Sequence, residues 1–283
     1  MERDYLKAKC FGLLIPYLTY MVIDFVLIRR EISAEIVFRM LYGGRAISGV
    51  YWYITCFLFT LFALGFLINH CSEKTVKRLI LAGGGIAVIE SHLVDTIHLL
   101  QSPGIPWNLD VALIALVYVG IGYFHKDKIK KLLEAEAVRI DVVAGIIAVL
   151  MGIFCWVNYR DVSPFYYFDM KPVYYRELIC AVPIPCAFDF VLVRTVHWLF
   201  NTAALGGFLD FVALCGRATI PIMFMHIPSN HWQSEFNYGK LIYVVIGVGV
   251  PVLFTLLFNR VQLMRSVFGI PNLKEIKGKN KNV

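Results

Sequence analysis

One histidine, several carboxyl groups and a few amides stand inside runs that are otherwise apolar, and these are the side chains that could do chemistry. His226 closes the stretch Arg217-Ala-Thr-Ile-Pro-Ile-Met-Phe-Met-His226, which as a helix sets it roughly 14 Å beyond Arg217. An imidazole there can take a proton from a hydroxyl or orient a reacting group. Glu90 and His92 close a second apolar run, with Asp95 after them. Asn108 and Asp110 open a third, just past Trp107, and Trp52 and Thr55 stand near the start of a fourth. A polar group at the mouth of an apolar helix needs a partner or a wet cavity. Together these residues describe a polar site near one face of a membrane.

Each of them has a plainer reading. A lone histidine on an apolar helix is more often a hydrogen-bonded packing residue. Asp110 can simply cap the first turn of its helix, which a carboxylate does well. Glu90 and His92 are two residues apart, so they point to different sides of a helix and form no dyad by themselves. Asp24 lies in the first apolar run with no partner visible in the sequence. No His/Cys/Asp group has metal-ligand spacing, and neither H-E-x-x-H, G-x-S-x-G nor a phosphate-binding Walker loop occurs. The seven cysteines (10, 56, 71, 155, 180, 186 and 215) include no C-x-x-C pair and mostly lie in apolar runs. They read as small packing residues.

The elements that must position these side chains follow from composition. Of the 283 residues, 59% are hydrophobic and 17% charged, against about 25% charged in soluble domains, so an all-α, polytopic membrane bundle is expected. Eight spans are suggested: Cys10–Ile28, Ile47–Asn69, Leu79–Val94, Leu109–Phe124, Ile140–Val157, Glu177–Asn201, Ala218–Ser229 with its flanks, and Leu241–Asn259. Residues 202–216 read as a connector or surface helix, and 260–283 as a basic tail. With the N-terminus inside, 18 of the 27 Lys and Arg fall in inner segments and 8 in outer loops, which favours both termini in the cytoplasm. The net charge of +7 is spent between apolar runs and implies no nucleic-acid partner. The loop His125 to Arg139 reads as a basic helix on the inner surface, or a seat for phosphates. Asn158 to Arg176, crowded with tyrosine and phenylalanine, reads as an interfacial belt or a sugar-stacking surface.

Several stretches resemble the integral-membrane acyltransferase family 3, in its branch similar to fucose 4-O-acetylases. They are Leu13-Leu-Ile-Pro-Tyr17, Tyr51-Trp-Tyr-Ile-Thr-Cys-Phe-Leu-Phe59, Ile105-Pro-Trp-Asn-Leu-Asp-Val-Ala-Leu-Ile-Ala-Leu116 with Gly120-Ile-Gly-Tyr123, and Gly216 to His226. The resemblance implies acyl transfer from cytoplasmic acyl-CoA, as co-substrate and not as a bound cofactor, to a hydroxyl on a glycan or other cell-envelope acceptor. It also implies that the Leu-Ile-Pro-Tyr helix is the family's third span, so that the first two, with the family's catalytic histidine, are missing here. Under that reading His226 is the remaining base or orienter. Trp52, Thr55, Glu90, His92, Asn108 and Asp110 line the acceptor site, and Lys126, Lys128 and Arg217 face the donor's phosphates. The alternatives are an inactive or partner-dependent relative, or a small-solute transporter.

Overall fold

Apolar runs bounded by glycine, proline and charge form helices here, and the same residues decide where the helices break. The computed structural model describes residues 3–30, 33–47, 49–135, 138–160, 166–175, 178–200 and 206–273. The helices are α1 (Arg3–Val22), α2 (Ala34–Tyr42), α3 (Tyr51–His70), α4 (Glu73–Leu93), α5 (His98–Gln101), α6 (Val111–Glu134), α7 (Val138–Arg160) and α8 (Leu178–Ala181). They continue with α9 (Pro183–Phe200), α10 (Gly206–Arg217), α11 (Thr219–Ser229), α12 (Gln233–Phe236), α13 (Gly239–Phe258) and α14 (Gln262–Phe268). A π-turn, Ile23–Ile28, extends α1, and 3-10 turns form at Gly44–Ala46 and Pro106–Asn108. The expected all-α architecture is the one observed. Among the described residues the extended backbone pairs once, as a bridge between Asp169 and Tyr174.

Among the described residues, five segments are long and apolar enough to cross a membrane: Cys10–Ile28, Tyr51–His70, Pro106–Leu132, Val138–Arg160 and Gly239–Phe258. Helices α10 and α11, bent by 86° across their break, make a sixth if counted as one broken span. The sequence suggests eight. Of the others, the expected third span is α4, whose first two turns carry Glu73, Lys74, Lys77 and Arg78. The expected sixth falls partly outside the described residues, and its remainder is split between α8 and α9, the latter carrying Asp189 and Arg194.

The chain divides into two units, one gathering Gly43–Ala46 with Thr55–Gly206, the other Glu2–Tyr42 with Ile47–Ile54 and Gly207–Val283. In the first, α4 and α6 run antiparallel. Lys77 lies over the Phe124 ring, Ile80 meets Gly120, and Gly83 meets Leu113. A Cβ on Gly120 would stand 2.8 Å from Ile80 Cδ1, so glycine is what lets these two helices approach, as small residues do in membranes. Helix α9 packs on α7, where Arg194 Nε donates to Asp141 Oδ1 at 2.7 Å. The outward side of α7 (Val142, Ile146, Val149, Leu150, Ile153) is exposed, as a face against hydrocarbon should be.

In the second unit α11 packs on α13 and α14 on α1. Residues 262–268, expected within a tail, are the helix α14. Gly269 ends it at φ +65°, where a Cβ would meet Ile220 Cγ2 at 2.8 Å and Pro16 Cγ at 3.0 Å. The lysine-rich stretch 274–281 lies outside the described residues.

Candidate functional site

Two tight turns build the polar centre of the first unit. Gly43 and Gly44 both take positive φ, as do Gly104, Trp107 and Asn108. A Cβ on Gly44 would stand 2.8 Å from Asn108 N, and one on Gly104 would lie 2.8 Å from Arg45 Cζ. The Gly44–Ala46 turn therefore rests directly on the Pro106–Asn108 turn, which pushes Arg45 inward against the start of α6. Its Nη2 donates to Asp110 Oδ2, and the two side chains are 5% and 4% exposed. Asp110 Oδ1 accepts from Val111 N at 2.9 Å. The carboxylate thus both caps α6 and holds a buried cation.

Glu90, half-buried on α4, lies beside the Asp110 carboxyl and Arg45. Arg45, Asp110 and Glu90, with Asn108 and Tyr175 beside them, make one polar cluster. Several of its atoms are buried yet have no hydrogen-bond partner: Arg45 Nε and Nη1, Glu90 Oε1, Asn108 Nδ2 and Oδ1, and the Tyr175 hydroxyl. Burial pushes the Tyr175 phenol above its ordinary range. Glu90 and Asp110 add to that, while Arg45 opposes it. Unmet donors and acceptors in the interior are costly, and this many in one place form a site able to bind a hydroxyl- or carbonyl-bearing group.

The sequence-derived candidates divide between the units. Glu90, Asn108 and Asp110 come together as described. Thr55 is buried in the same unit at 5% exposure, one turn after Trp52, which belongs to the second unit. His92 does not join the cluster: it is exposed, with Nδ1 against Val88 O at 2.8 Å. Lys126 and Lys128 are exposed on the last turns of α6. Lys126 lines a cavity of about 290 Å³ with Glu73 and Asp127, acids that work against a phosphate.

Arg217 and His226 belong to the second unit, with Arg217 exposed. His226 Nδ1 lies 2.9 Å from Met223 O and 3.1 Å from Ile222 O. Two carbonyls make Nδ1 the protonated nitrogen and leave the Nε2 lone pair to act as acceptor, the tautomer a base requires. Asn230 fixes this end of α11: its Nδ2 donates to His226 O (2.8 Å) and Tyr243 O (3.1 Å), and its Oδ1 accepts from Tyr238 (2.7 Å).

Two partners of this centre escaped the sequence reading. Arg45 is one of four arginines in an expected outer loop, and only the preceding Gly43-Gly44 pair marks it. Tyr175 is one aromatic among many, and its neighbours pack ring against ring: Phe168 tilted against Tyr175 at 5.8 Å, Tyr167 edge-on to Tyr174 at 5.9 Å. Asp95 accepts from the Tyr174 hydroxyl at 3.2 Å. Among the described residues no group of His, Cys, Asp and Glu could hold a metal ion. No protein-family model, no curated protein and no solved structure matches this chain.

Proposed function

We propose that this membrane protein is an O-acyltransferase that moves an acyl group, acetyl in the first instance, from acyl-CoA to a hydroxyl of a glycan or other envelope acceptor. The observation that carries this reading is the orphaned polar cluster at the start of α6, formed by Arg45, Glu90, Asn108 and Tyr175 around Asp110. It falls on the Pro106-Trp-Asn-Leu-Asp110 stretch that resembles the acyltransferases. Asn108 and Arg45 offer donors, and Glu90 an acceptor, to a hydroxyl-bearing ligand. The transfer itself needs a base to remove the hydroxyl proton as the oxygen attacks the thioester carbonyl. The C–S bond then breaks, and the thiolate leaves as CoA thiol once protonated. The resemblance assigns that base to His226, on α11 of the second unit. Both termini are then cytoplasmic and the donor enters from that side.

The bend of 86° between α10 and α11 favours a second reading, a small-solute transporter, since broken helices often build transport sites. Purified protein in liposomes, supplied with radiolabelled acetyl-CoA and a mixed glycan acceptor, separates the two. Acyl transfer that falls about 100-fold or more in His226→Ala supports the enzyme. Acetyl-CoA left untouched while acceptor crosses the bilayer supports transport.

A further inference from the structure

The outer groove between α4 and α6 is unrelated to the polar cluster and has a chemistry of its own. Its volume is about 510 Å³, within the roughly 300–1,000 Å³ of ordinary ligand sites. Gly84 and Gly120 are part of its lining, along the seam where the two helices approach. Ile80, Leu81, Val117 and Ile121 form its apolar walls. Lys77 and His125 stand at one end. Because the two helices are antiparallel, the first turns of α4 meet the last turns of α6 there, and their charges add. Lys74, Lys77, Arg78, Lys126, Lys128, Lys130 and Lys131 outnumber Glu73, Asp127 and Glu134 in the sequence of those turns.

We propose that this groove holds one acyl chain of an anionic phospholipid, with the headgroup phosphate met by Lys77 and His125. The trough lies along Pro106–Leu132, a segment apolar enough to cross the membrane, so its occupant is set in hydrocarbon and a lipid chain is the matching solute. The end of the groove is where α6 passes from apolar to basic, the depth of lipid phosphates. Lys77 lays its stem along the Phe124 ring, with Nζ 4.9 Å from the centroid, and its exposed ion pair with Glu73 at 2.5 Å is weak enough to yield to a phosphate. A headgroup without net charge would not answer the excess of cations at this end, and a peptide would leave its backbone groups unpaired against these walls.

The test is native mass spectrometry of the detergent-purified full chain, titrated with palmitoyl-oleoyl phosphatidylglycerol and, separately, the phosphatidylcholine of the same chains. One saturable site should appear, favouring the anionic lipid by about fivefold or more, the effect of a single basic side chain near a charged lipid surface. Lys77→Glu should abolish the preference while chain binding survives. Leu81→Trp, at an exposed wall position that the core does not depend on, should weaken both lipids. Equal affinity for the two lipids, binding without saturation, or wild-type behaviour in both variants would overturn the proposal. None of these outcomes depends on acyl transfer.

Discussion

Arg29 lies five residues after Asp24, and its guanidinium closes on that carboxylate with both branches: Nε to Oδ1 at 3.0 Å and Nη2 to Oδ2 at 3.1 Å. The π-turn makes this possible, because its backbone bond, Arg29 N to Asp24 O at 2.9 Å, brings residues five apart into line. The Tyr51 hydroxyl also donates to Asp24 Oδ2 at 3.1 Å. An acid in the first span is thereby neutralised from its own helix.

Removing that cation should therefore cost stability. Arg29→Ala should destabilise by roughly 2–3 kcal/mol, below the ~3–5 of a fully buried pair because Arg29 is partly exposed. Arg29→Lys should recover part of the loss without the fork. Thermal unfolding in one detergent measures both, and an unchanged midpoint in Arg29→Ala would show the pair to be idle.

The Arg45 and Asp110 pair should be more sensitive. Arg45→Met leaves Asp110 and Glu90 buried without a cation, for a loss of about 3–5 kcal/mol. The double variant Arg45→Met with Asp110→Leu should be less damaged than Arg45→Met alone, because it removes the stranded charge. A strictly additive cycle would argue against the pairing.

Backbone strain supplies a third comparison. Gly44 has φ +57° and no room for a Cβ, so Gly44→Ala should destabilise by about 1–3 kcal/mol. Gly122 on α6 has nothing within 4 Å of the same atom. Gly122→Ala should be neutral or stabilise by up to about 1 kcal/mol through helix propensity. Equal unfolding midpoints for the two variants would contradict the turn-on-turn packing.

Tyr175 ties stability to pH. Its folded pKa is raised above the unfolded phenol value of about 10, so its contribution is full below that pH and is lost as pH rises past it. Tyr175→Phe removes a buried hydroxyl with no partner. The variant should be as stable as the parent or more so near neutrality, by up to about 2 kcal/mol, and lose less between about pH 10 and 11. Unfolding midpoints across that range would show it. If the hydroxyl binds acceptor, the same variant gains stability while losing activity.

The helices and their order were legible because apolar runs of this length admit few other structures, and Asp110 as helix opener followed from its place before Val111. The partners of the acids were not. Asp24 finds Arg29 only through a π-turn, which no 3.6-residue reading anticipates. Asp110 finds Arg45 across 65 positions of sequence, through two turns whose glycines say that a backbone must come close but not what it approaches. Arg194, inside the expected sixth apolar run, is answered by Asp141 on α7. Local pattern carries periodicity. It does not carry which polar group meets which.

Helix α7 has one more implication, for membrane thickness. Arg139 opens it and Arg160, its guanidinium 5.0 Å over the Trp156 ring, closes it, so its two basic anchors stand about 32 Å apart along the axis. That matches a bilayer core of about 30 Å, and with lipid over most of its surface α7 acts as a ruler. A thinner membrane must tilt it, and the mismatch is then borne where α7 meets α9, at the Asp141–Arg194 contact. Arg194→Ala should accordingly destabilise the protein more in short-chain than in long-chain lipid, measured by unfolding in bilayers of graded thickness.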